Sequence, residues 1–458
     1  MLPGEIFKAY DIRGIVGKTL TPFIVRQIGQ ALGTLAIERG QRAIAVGRDG
    51  RQSGPELADA LMEGITSAGM DAIDIGLAPT PVTYFAAHEL VCASCVSVTG
   101  SHNPPDYNGL KMVIASETLA LDAIQRLRTR IEQGDLAHGK VPGKRTHTDV
   151  RAAYIERVVS DVQLTRRMKI VMDCGNGVAG AVAPDLFRRL GCEVVPLFCE
   201  VDGRFPNHHP DPSRPENLRA LIATLAEGDA ELGIAFDGDG DRLGVVTKDG
   251  EIIFPDRQLM LFAADVLSRQ PGREIIYDVK CTRLLEPWIL KHGGKPLMWR
   301  TGHALIKAKL KETNAPLAGE MSGHVFFAER WYGFDDGLYA GARLLEILSR
   351  ENDANATLKA LPAAVSTPEI NLPMQEGEPV ELVSRLIERG VFSREVSRLT
   401  IDGLRVEFPD GFGLARSSNT TPVVVLRFEA LSEDALSRIQ ADFRRAITAV
   451  WPGLSMPF

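Results

Sequence analysis

Positive charge is scarce in this sequence relative to negative charge. There are 52 Lys and Arg residues against 59 Asp and Glu residues, and the net charge is −7 at pH 7. Non-specific binding of nucleic acid needs a broad basic surface, so we expect no nucleic-acid partner. An anionic ligand would have to be held by local Arg and Lys side chains.

Long apolar runs are also missing. The nearest candidate, residues 81–98, is interrupted by His88 and Glu89, whereas a membrane helix needs roughly 18 apolar residues. The first residues, MLPGEIFKAYDIRG, lack the basic and apolar segments of a secretion signal. We therefore expect a cytoplasmic protein with no membrane partner.

Cysteine is rare, with 6 residues in a chain of 458. Cys92 and Cys95 form a CxxC pair inside an apolar run, and no second CxxC or nearby CxxH completes a zinc site. We expect reduced, buried cysteines.

A strand–helix–strand pattern recurs along the chain. It begins with apolar strands at 43–49, 169–175 and 274–280, and each copy ends with a strand that leads into a polar loop: TGSHNPPDYNG, DGDGDR or GEMSGH. Alternating strands and helices favour mostly parallel sheets. In such sheets, ligand sites lie beyond the carboxyl ends of the strands.

The region from residue 364 differs, because short strands flanked by helices predict an α+β domain. We therefore predict an α/β protein with three similar mixed α/β domains followed by a smaller α+β C-terminal domain. The expected boundaries are 1–146, 147–250, 251–363 and 364–458, with the Pro-containing segment 366–373 as a linker.

The loop DGDGDR predicts a metal site. Asp237, Asp239 and Asp241 alternate with glycines, and in extended backbone they project to one side. Like charges this close need a cation, and oxygen ligands suit Mg²⁺. An EF-hand is excluded because Lys248 stands where its closing Glu would be.

Ser101 lies between Gly100 and His102 in TGSHNPPDYNG. The loop is not a G-x-S-x-G elbow, so a phosphoryl acceptor assisted by a metal is a better use of this serine; a plain turn or helix cap is the alternative. Lys111 could carry a proton, for which its pKa would have to be lowered.

Two further loops offer ligand groups. In GEMSGH, extended backbone would project Glu320, Ser322 and His324 to one face, where they suit sugar hydroxyls. RSSNTTP at 416–422 concentrates donors for an anion. A polar strand edge and a polar hairpin loop are the respective alternatives.

The loop CGNGVAG matches G-x-G-x-x-G directly after a strand, and Glu200 ends the next strand. This spacing fits a dinucleotide fingerprint, so an NAD-dependent dehydrogenase built on Gly175–Gly180 is an alternative function. The same glycines also suit a tight strand-to-helix turn.

Taken together, these loops resemble those of the α-D-phosphohexomutase superfamily, most closely its bacterial phosphomannomutase/phosphoglucomutase group. The resemblance covers essentially the whole chain. It is carried by KAYDIRG (8–14), TGSHNPPDYNGLK (99–111), VMDCGNGVAG (171–180), FPNHHPDP (205–212), DGDGDR (237–242), PDR (255–257), DVK (278–280), TGH (301–303), GEMSGH (319–324) and RSSNTTP (416–422).

The resemblance implies four domains around a central cleft and transfer of phosphate between O1 and O6 of a hexose. Ser101 would carry the phosphate and complete a Mg²⁺ site with Asp237, Asp239 and Asp241. A hexose 1,6-bisphosphate would be the intermediate, with glucose 1,6-bisphosphate as activator. The substrates would be mannose and glucose phosphates, and we expect a monomer. A phosphoglucosamine mutase and a non-catalytic sugar-phosphate sensor are the alternatives.

The resemblance also implies roles for individual residues. Arg13, Lys111 and His303 match positions for proton transfer and transition-state stabilisation, and His102 would orient Ser101. Glu320 and Ser322 match readers of the sugar hydroxyls. The substrate-binding set further includes Tyr10, Arg242, Arg257, Lys280, Gly302, His303 and His324, and for the non-transferred phosphate Arg416, Ser417, Ser418, Asn419 and Thr420.

Overall fold

The computed structural model describes residues 2–419 and 421–458. The expected phosphate-binding residue Thr420 lies outside the described residues. Within the described ranges, none of the helices is both long and apolar enough to span a membrane.

The first sheet holds the Ser101 loop at the carboxyl end of a central strand. Its strand order is β1-β5-β4-β2-β3-β7, with β6 against β5 and with antiparallel pairing confined to β1, β4, β5 and β6 among the described strands. The elements are β1 (Ile12–Ile15), α1 (Pro22–Glu38), β2 (Ala43–Arg48), α2 (Gly54–Ser67), β3 (Asp71–Leu77), α3 (Thr80–Glu89), β4 (Cys95–Val98), β5 (Tyr107–Ile114), β6 (Glu117–Thr118), α4 (Asp122–Gln133) and β7 (Arg145–His147).

The second sheet delivers the acidic loop. Its order is β12-β11-β10-β8-β9, parallel through β10, β8 and β9. The elements are α5 (Arg151–Asp161), β8 (Lys169–Asp173), α6 (Ala183–Arg189), β9 (Glu193–Leu197), α7 (Arg219–Glu227), β10 (Leu232–Phe236), β11 (Leu243–Thr247) and β12 (Ile252–Ile253).

The third sheet carries the GEMSGH loop after β15, in the order β14-β13-β15-β16. The elements are α8 (Pro255–Arg269), β13 (Glu274–Asp278), α9 (Leu285–Lys291), β14 (Lys295–Trp299), α10 (His303–Thr313), β15 (Leu317–Gly319), β16 (Val325–Phe327), α11 (Gly337–Leu348) and α12 (Ala354–Lys359).

The fourth sheet is antiparallel, in the order β17-β22-β21-β20-β19 with β18 also against β22. The elements are β17 (Val365–Ser366), β18 (Ile370–Pro373), α13 (Glu378–Arg389), β19 (Ser397–Leu399), β20 (Leu404–Phe408), β21 (Gly411–Ser417), β22 (Val423–Ala430) and α14 (Glu433–Val450). The predicted α/β class with a final α+β domain is confirmed.

The structure bears on three local expectations. The segment 366–373 contains β18 and is therefore part of the fourth sheet as well as a connection. The first sheet extends to His147, so β7 crosses the expected boundary at 146, and the domain boundaries stay a proposal. The cysteines are unpaired and, apart from the half-buried Cys199, buried.

Aromatic side chains lock the first three domains together. The ring of Phe85 in α3 lies 5.6 Å from that of Tyr154 in α5, and Tyr154 lies 6.0 Å from Trp331 in the third domain. One apolar core runs continuously through residues of all three domains, whereas the fourth domain has its own. The loops of the first three domains are therefore held in fixed mutual positions.

Helices α1 and α2 pack so closely that a glycine is required at their contact. A Cβ at Gly64 would lie 2.0 Å from the carbonyl oxygen of Arg26, and one at Gly29 would lie 2.2 Å from that of Leu61. These contacts are between backbones, which cannot rotate away as a side chain can. We conclude that this helix pair is set by backbone contact.

We expect Gly64→Ala to lower the free energy of unfolding by about 1–3 kcal/mol, because overpacking of a well-filled interface forces the backbones apart. Chemical denaturation monitored by circular dichroism measures this. Gly54→Ala in the same helix is the matched control, since a Cβ there meets its nearest atom at 3.4 Å. Equal stability of the two variants would contradict the packing argument.

Candidate active site

The backbone at Ser101 is held in an uncommon conformation. Its φ is 50°, and the side chain is 1% exposed. The Ser101 amide donates to Thr99 Oγ1 (2.8 Å), and Ser101 Oγ lies 3.1 Å from His102 Nδ1. Burial, followed by the nearby charge of Arg242, lowers the pKa of His102 well below its usual value, so the imidazole beside the hydroxyl is neutral.

Arg51 organises this loop, and it was missed from the sequence. Its buried guanidinium donates to the carbonyl oxygens of Ser101 (2.9 Å), Asn103 (2.6 Å), Pro104 (2.5 Å) and Tyr107 (2.9 Å). The available signal was an Arg two residues after the strand-end Asp49, at the edge of the sheet where ligands bind. An Arg in a solvated turn has the same local pattern, so the sequence did not distinguish a solvated Arg from one that supports the Ser101 loop.

Asp49 completes the support of the loop. Its carboxylate accepts hydrogen bonds from Arg51 Nε (3.2 Å), Thr99 Oγ1 (2.7 Å) and the Gly100 amide (3.1 Å). Arg51 and Asp49 are both almost fully buried. Ser101 is therefore supported by an internal ion pair rather than by solvent.

The three aspartates of the acidic loop converge, although not by the route expected. The loop is a turn with φ 78° at Gly240 instead of extended backbone. Carboxylate oxygens of Asp237, Asp239 and Asp241 nevertheless lie within 4.8 Å of one another, and all three residues are fully buried. A turn brings their side chains to one point, as alternation along a strand would do.

The chemistry of this cluster fits a divalent cation. Asp237 Oδ2 and Asp239 Oδ1 are buried without a hydrogen-bond partner in the described part of the chain. Burial, joined by the charges of Asp241 and Asp239, raises the pKa of Asp237 well above its usual range. Unpaired carboxylate oxygens are the donors that Mg²⁺ prefers.

Lys111 is the main cationic partner of the cluster. Its Nζ lies 2.7 Å from Asp239 and 2.5 Å from Asp241. Burial alone would lower the pKa of Lys111, but the charges of Asp239 and Asp241 outweigh it and raise that pKa above its usual value. Lys111 is therefore paired with two of the three carboxylates, and its expected role as a proton carrier stays a prediction.

The GEMSGH segment is also a turn rather than an extended strand. The Glu320 amide donates to the His324 carbonyl oxygen (2.9 Å), and Gly323 has φ 102°. The turn places His324 Nδ1 2.9 Å from Glu320 Oε2 and 3.4 Å from Ser322 Oγ. The predicted grouping of the three side chains is therefore present with a different backbone.

His324 joins this loop to the acidic loop. Its Nε2 lies 3.2 Å from Asp241 Oδ1 and 3.1 Å from Arg242 Nε. Burial lowers the pKa of His324, but the Asp241 carboxylate and then hydrogen bonding to Asp241 and Glu320 outweigh it and raise the pKa to about 9. The two carboxylates thus favour the protonated imidazole, whereas the charge of Arg242 opposes it.

Tyr10, Gly302 and His303 lie in contact with one another. Gly302 has φ 133°, its amide donates to Glu320 Oε1 (2.5 Å), and a Cβ there would lie 2.4 Å from the Tyr10 ring. Tyr10 donates to the Thr301 carbonyl oxygen (2.8 Å) and meets the His303 ring edge-on. Both the positive φ and the close approach of the Tyr10 ring therefore require a glycine at residue 302.

Arg13 reaches the Ser101 loop from β1. It donates to Asn103 Oδ1 (2.5 Å) and pairs with Asp11. Its Nε is buried and unpartnered among the described residues, so it can still donate to an anion at this edge.

The fourth domain closes the remaining side of the cleft. Asn419 donates to Tyr10 Oη, and Arg416 Nε donates to Asp402 Oδ2 (3.1 Å). Asp402 also accepts from the Thr301 amide (3.0 Å). Ser417 and Ser418 lie beside Arg416 in the same loop, where Ser417 Oγ donates to the Ser418 carbonyl oxygen (3.4 Å).

Two predicted cationic groups already have anionic partners. Lys280 Nζ lies 2.6 Å from Glu369 Oε1, and Arg416 pairs with Asp402, although Arg416 Nη2 is buried without a partner in the described ranges. Sequence reasoning did not identify Asp402 or Glu369. Asp402 contacts Thr301, which is far from it along the chain. Glu369 lies in the segment that was expected to be a linker.

Arg257 is hydrogen-bonded to residues outside the predicted set. Its guanidinium donates to Glu251 (2.7 Å) and to the carbonyl oxygens of Leu358 (3.4 Å) and Leu361 (3.0 Å). These contacts connect α8 with the ends of neighbouring elements. Its Nε is buried without a partner in the described ranges, and its expected contact with a ligand stays a prediction.

Four family models match successive segments that together cover most of the chain. Models described as phosphoglucomutase/phosphomannomutase alpha/beta/alpha domains I, II and III match residues 4–138, 152–250 and 254–365, and the corresponding C-terminal domain model matches 369–446.

Similar proteins carry related names. The phosphomannomutase/phosphoglucomutase of Pseudomonas aeruginosa is 55% identical over 100% of this chain and 98% of its own. The phosphoglucomutase of Neisseria gonorrhoeae is 55% identical over 98% of both chains. A solved phosphoglucomutase/phosphomannomutase family protein from Burkholderia thailandensis is 58% identical, with a TM-score of 0.95 and 100% of both chains covered.

We expect Arg51→Ala to lower the free energy of unfolding by about 3–5 kcal/mol, because it leaves the Asp49 carboxylate buried and unpaired. Urea denaturation measures this. Arg51→Lys should recover only part of the loss, since an ammonium cannot reach the same set of carbonyl oxygens as a guanidinium.

Arg204→Ala is the matched control, because Arg204 pairs with Asp202 at an exposed site and its side chain is 71% exposed. It should leave stability nearly unchanged. If Arg51→Ala were as stable as Arg204→Ala, Arg51 would not be the support of the Ser101 loop.

Proposed function

The chain belongs to the phosphoglucomutase/phosphomannomutase family, and we propose that it acts through a phosphate carried on Ser101. It is an isomerase that interconverts hexose 1-phosphate and hexose 6-phosphate, with mannose and glucose as the sugars of its named relatives. One observation carries the role of Ser101: the residue is buried with φ 50°, and its carbonyl oxygen lies 2.4 Å from where a Cβ of Gly238, in the acidic loop, would stand.

The first step that we propose transfers the phosphate from Ser101 to the sugar. The bond between Ser101 Oγ and phosphorus breaks as phosphorus bonds the free hydroxyl oxygen of the bound hexose monophosphate. That hydroxyl gives its proton to a basic side chain of the cleft, and the departing Ser101 Oγ takes up a proton to form the free serine hydroxyl. The product is a hexose 1,6-bisphosphate. This intermediate turns around and returns its other phosphate to Ser101, which restores the phosphoenzyme.

Positive side chains around Ser101 suit this transfer. Arg13 and Lys111 supply charge beside the transferring group, as phosphoryl transfer depends mainly on positioning and electrostatic stabilisation. His303 is our candidate proton acceptor from its place in the TGH motif. Burial, followed by the charge of Lys307, lowers its pKa well below the usual value, which leaves the ring unprotonated. His102 orients Ser101 Oγ across 3.1 Å.

Asp237, Asp239 and Asp241 would hold a Mg²⁺ ion, together with the phosphate on Ser101. When bound, the ion would neutralise charge on the phosphoryl group. Glucose 1,6-bisphosphate would serve as activator because it can phosphorylate an empty Ser101. The carboxylate cluster and its unpaired oxygens support the metal; the choice of Mg²⁺ and of the activator is our proposal.

The substrate would be held at its two ends. Glu320 and Ser322 would accept and donate hydrogen bonds at the sugar hydroxyls, while the non-transferred phosphate would bind Arg416, Ser417, Ser418, Asn419, Thr420, Tyr10 and Lys280. A fixed phosphate anchor and hydroxyl readers that tolerate a turned ring permit both orientations of the bisphosphate. Arg416 and Lys280 would have to leave their carboxylate partners, Asp402 and Glu369, to bind the incoming phosphate.

The glycine loop supports this function better than a dehydrogenase. The Val178 amide donates to the Gly238 carbonyl oxygen (3.1 Å), and a Cβ at Gly180 would lie 2.0 Å from the Cys199 carbonyl oxygen. The glycines thus allow close backbone contact between the CGNG turn and its neighbours. The dehydrogenase and phosphoglucosamine mutase alternatives are not favoured, since the named relatives at 55% identity are phosphomannomutases and phosphoglucomutases.

We also propose a cytoplasmic monomer. The side chains assigned to the cleft all come from a single chain, so no second copy is needed to complete it.

We expect the intact mass of the protein to rise by one phosphate after incubation with glucose 1,6-bisphosphate and Mg²⁺, with the phosphate mapped to Ser101 by peptide fragmentation. Ser101→Ala should show neither the phosphate nor mutase turnover. Ser160→Ala, at an exposed helix position, is the control and should retain both. Phosphate at another residue, or turnover by Ser101→Ala, would overturn the assignment.

We expect chelation to abolish turnover and added Mg²⁺ to restore it. Asp239→Asn should weaken Mg²⁺ binding by about 10–100-fold or more, since even the loss of a residue that only supports a metal ligand has that effect. Isothermal titration with Mg²⁺ measures this without relying on activity. Asp202→Asn, outside the cluster, should bind Mg²⁺ as the unaltered protein does; equal binding by Asp239→Asn would contradict the site.

A further inference from the structure

Two buried polar atoms beside the cleft face each other without a hydrogen-bond partner. Asp335 Oδ2 lies 3.6 Å from His303 Nδ1, and both atoms are unpaired within the described ranges. Asp335 is fully buried and His303 is 7% exposed. Because an unpaired buried polar atom costs free energy, a small approach of the two groups to share a proton is favourable.

The carboxylate of Asp335 is held in place from its other side. Lys307 Nζ lies 2.9 Å from Asp335 Oδ1 and 4.3 Å from the centre of the Tyr84 ring in the first domain. Lys307 and His303 are one turn apart on α10, so they face the same carboxylate. Lys307 therefore pairs with one carboxylate oxygen of Asp335, and the other oxygen faces the imidazole.

The backbone around Asp335 is equally constrained. Asp335 forms a bridge with Phe326, which follows β15 and the GEMSGH turn. Its neighbour Asp336 caps α11 by accepting from the Tyr339 amide (2.9 Å), and the Asp336 amide donates to the Val325 carbonyl oxygen (3.2 Å). The carboxylate is thus fixed relative to the sugar-reading loop.

The partner of Nδ1 decides which nitrogen of a neutral imidazole carries the proton. Burial, followed by the charges of Lys307, Lys111 and His324, holds the pKa of His303 well below its usual value. An ionised carboxylate only accepts hydrogen bonds, so a neutral ring opposite Asp335 has its proton on Nδ1 and a lone pair on Nε2.

We propose that Asp335 is a positioning residue for the mutase reaction: its carboxylate, anchored by Lys307, holds the proton of His303 on Nδ1 and keeps Nε2 as an acceptor. The kinetic consequence rests on the proposed function. The position of the proton is a property of the protein at rest and is measured independently of turnover.

The first test uses the unaltered protein labelled with ¹⁵N-histidine, in Mg²⁺ at pH 8. Long-range ¹H–¹⁵N spectra distinguish protonated from unprotonated ring nitrogens, and the signals missing from His303→Gln identify His303. We expect Nδ1 protonated and Nε2 unprotonated. A proton on Nε2, or a doubly protonated ring, would overturn the proposal, whatever the mutase activity of the preparation.

The second test is Asp335→Asn, which preserves shape but can donate an amide proton to Nδ1. We expect the proton of His303 to move to Nε2 and kcat to fall by about 100-fold, as general-base catalysis contributes roughly 10²–10⁴-fold. KM should stay within about twofold, because ground-state binding is untouched.

Asp265→Asn is the matched control, since Asp265 is another buried carboxylate, paired with Arg269 and Arg343. It should keep both the kcat and the His303 proton position of the unaltered protein. A fall in kcat for Asp335→Asn with the His303 proton still on Nδ1 would show a structural effect and overturn the proposal. If Asp335→Asn does not fold, the spectrum of the unaltered protein decides. Loss of turnover in the unaltered protein would instead count against the proposed function.

Discussion

Three carboxylates buried side by side repel one another, and the centre of this protein is built around compensating that repulsion. Asp237, Asp239 and Asp241 lie at the end of β10, out of contact with solvent. Lys111 comes to them from the first domain and His324 from the third. The charge balance of one loop therefore requires three domains to be in place, and it leaves carboxylate oxygens for a cation.

Compensation of the aspartate charges also positions the reacting groups. Lys111 lies on β5, the strand that follows the Ser101 loop, so pairing with the acidic loop draws Ser101 against Gly238. His324 brings Glu320 and Ser322 with it, because they share one turn. The contacts that compensate the charge of the aspartates are thus the same contacts that assemble the cleft. Aromatic contacts between α3, α5 and the third domain make this arrangement rigid.

Much of this arrangement could be predicted. The βαβ repeats set the sheet class, and the polar loops at strand ends located the chemistry, including all three aspartates and Glu320, Ser322 and His324. For the DGDGDR and GEMSGH loops we argued from extended backbone, whereas the structure has turns, across which alternating residues converge equally well. Arg51, Asp402, Glu369 and Asp335 escaped notice, since each acts on a residue distant from it in the sequence or stands in a segment with no motif of its own.

The sequence by itself determined which groups are available: the acidic triplet, the serine in its turn, the donor-rich loop near the C-terminus and the order of the domains. These depend on local spacing and on residue chemistry, which are readable along one chain. Only the tertiary structure decided which ionic and hydrogen-bond partners these groups have. Lys111 follows the Ser101 loop in the sequence, and only the structure pairs it with Asp239 and Asp241. Arg257 lies in a family motif, and only the structure shows its hydrogen bond to Glu251. Charge and hydrogen bonding depend on neighbours in space, which the chain supplies from far along its length.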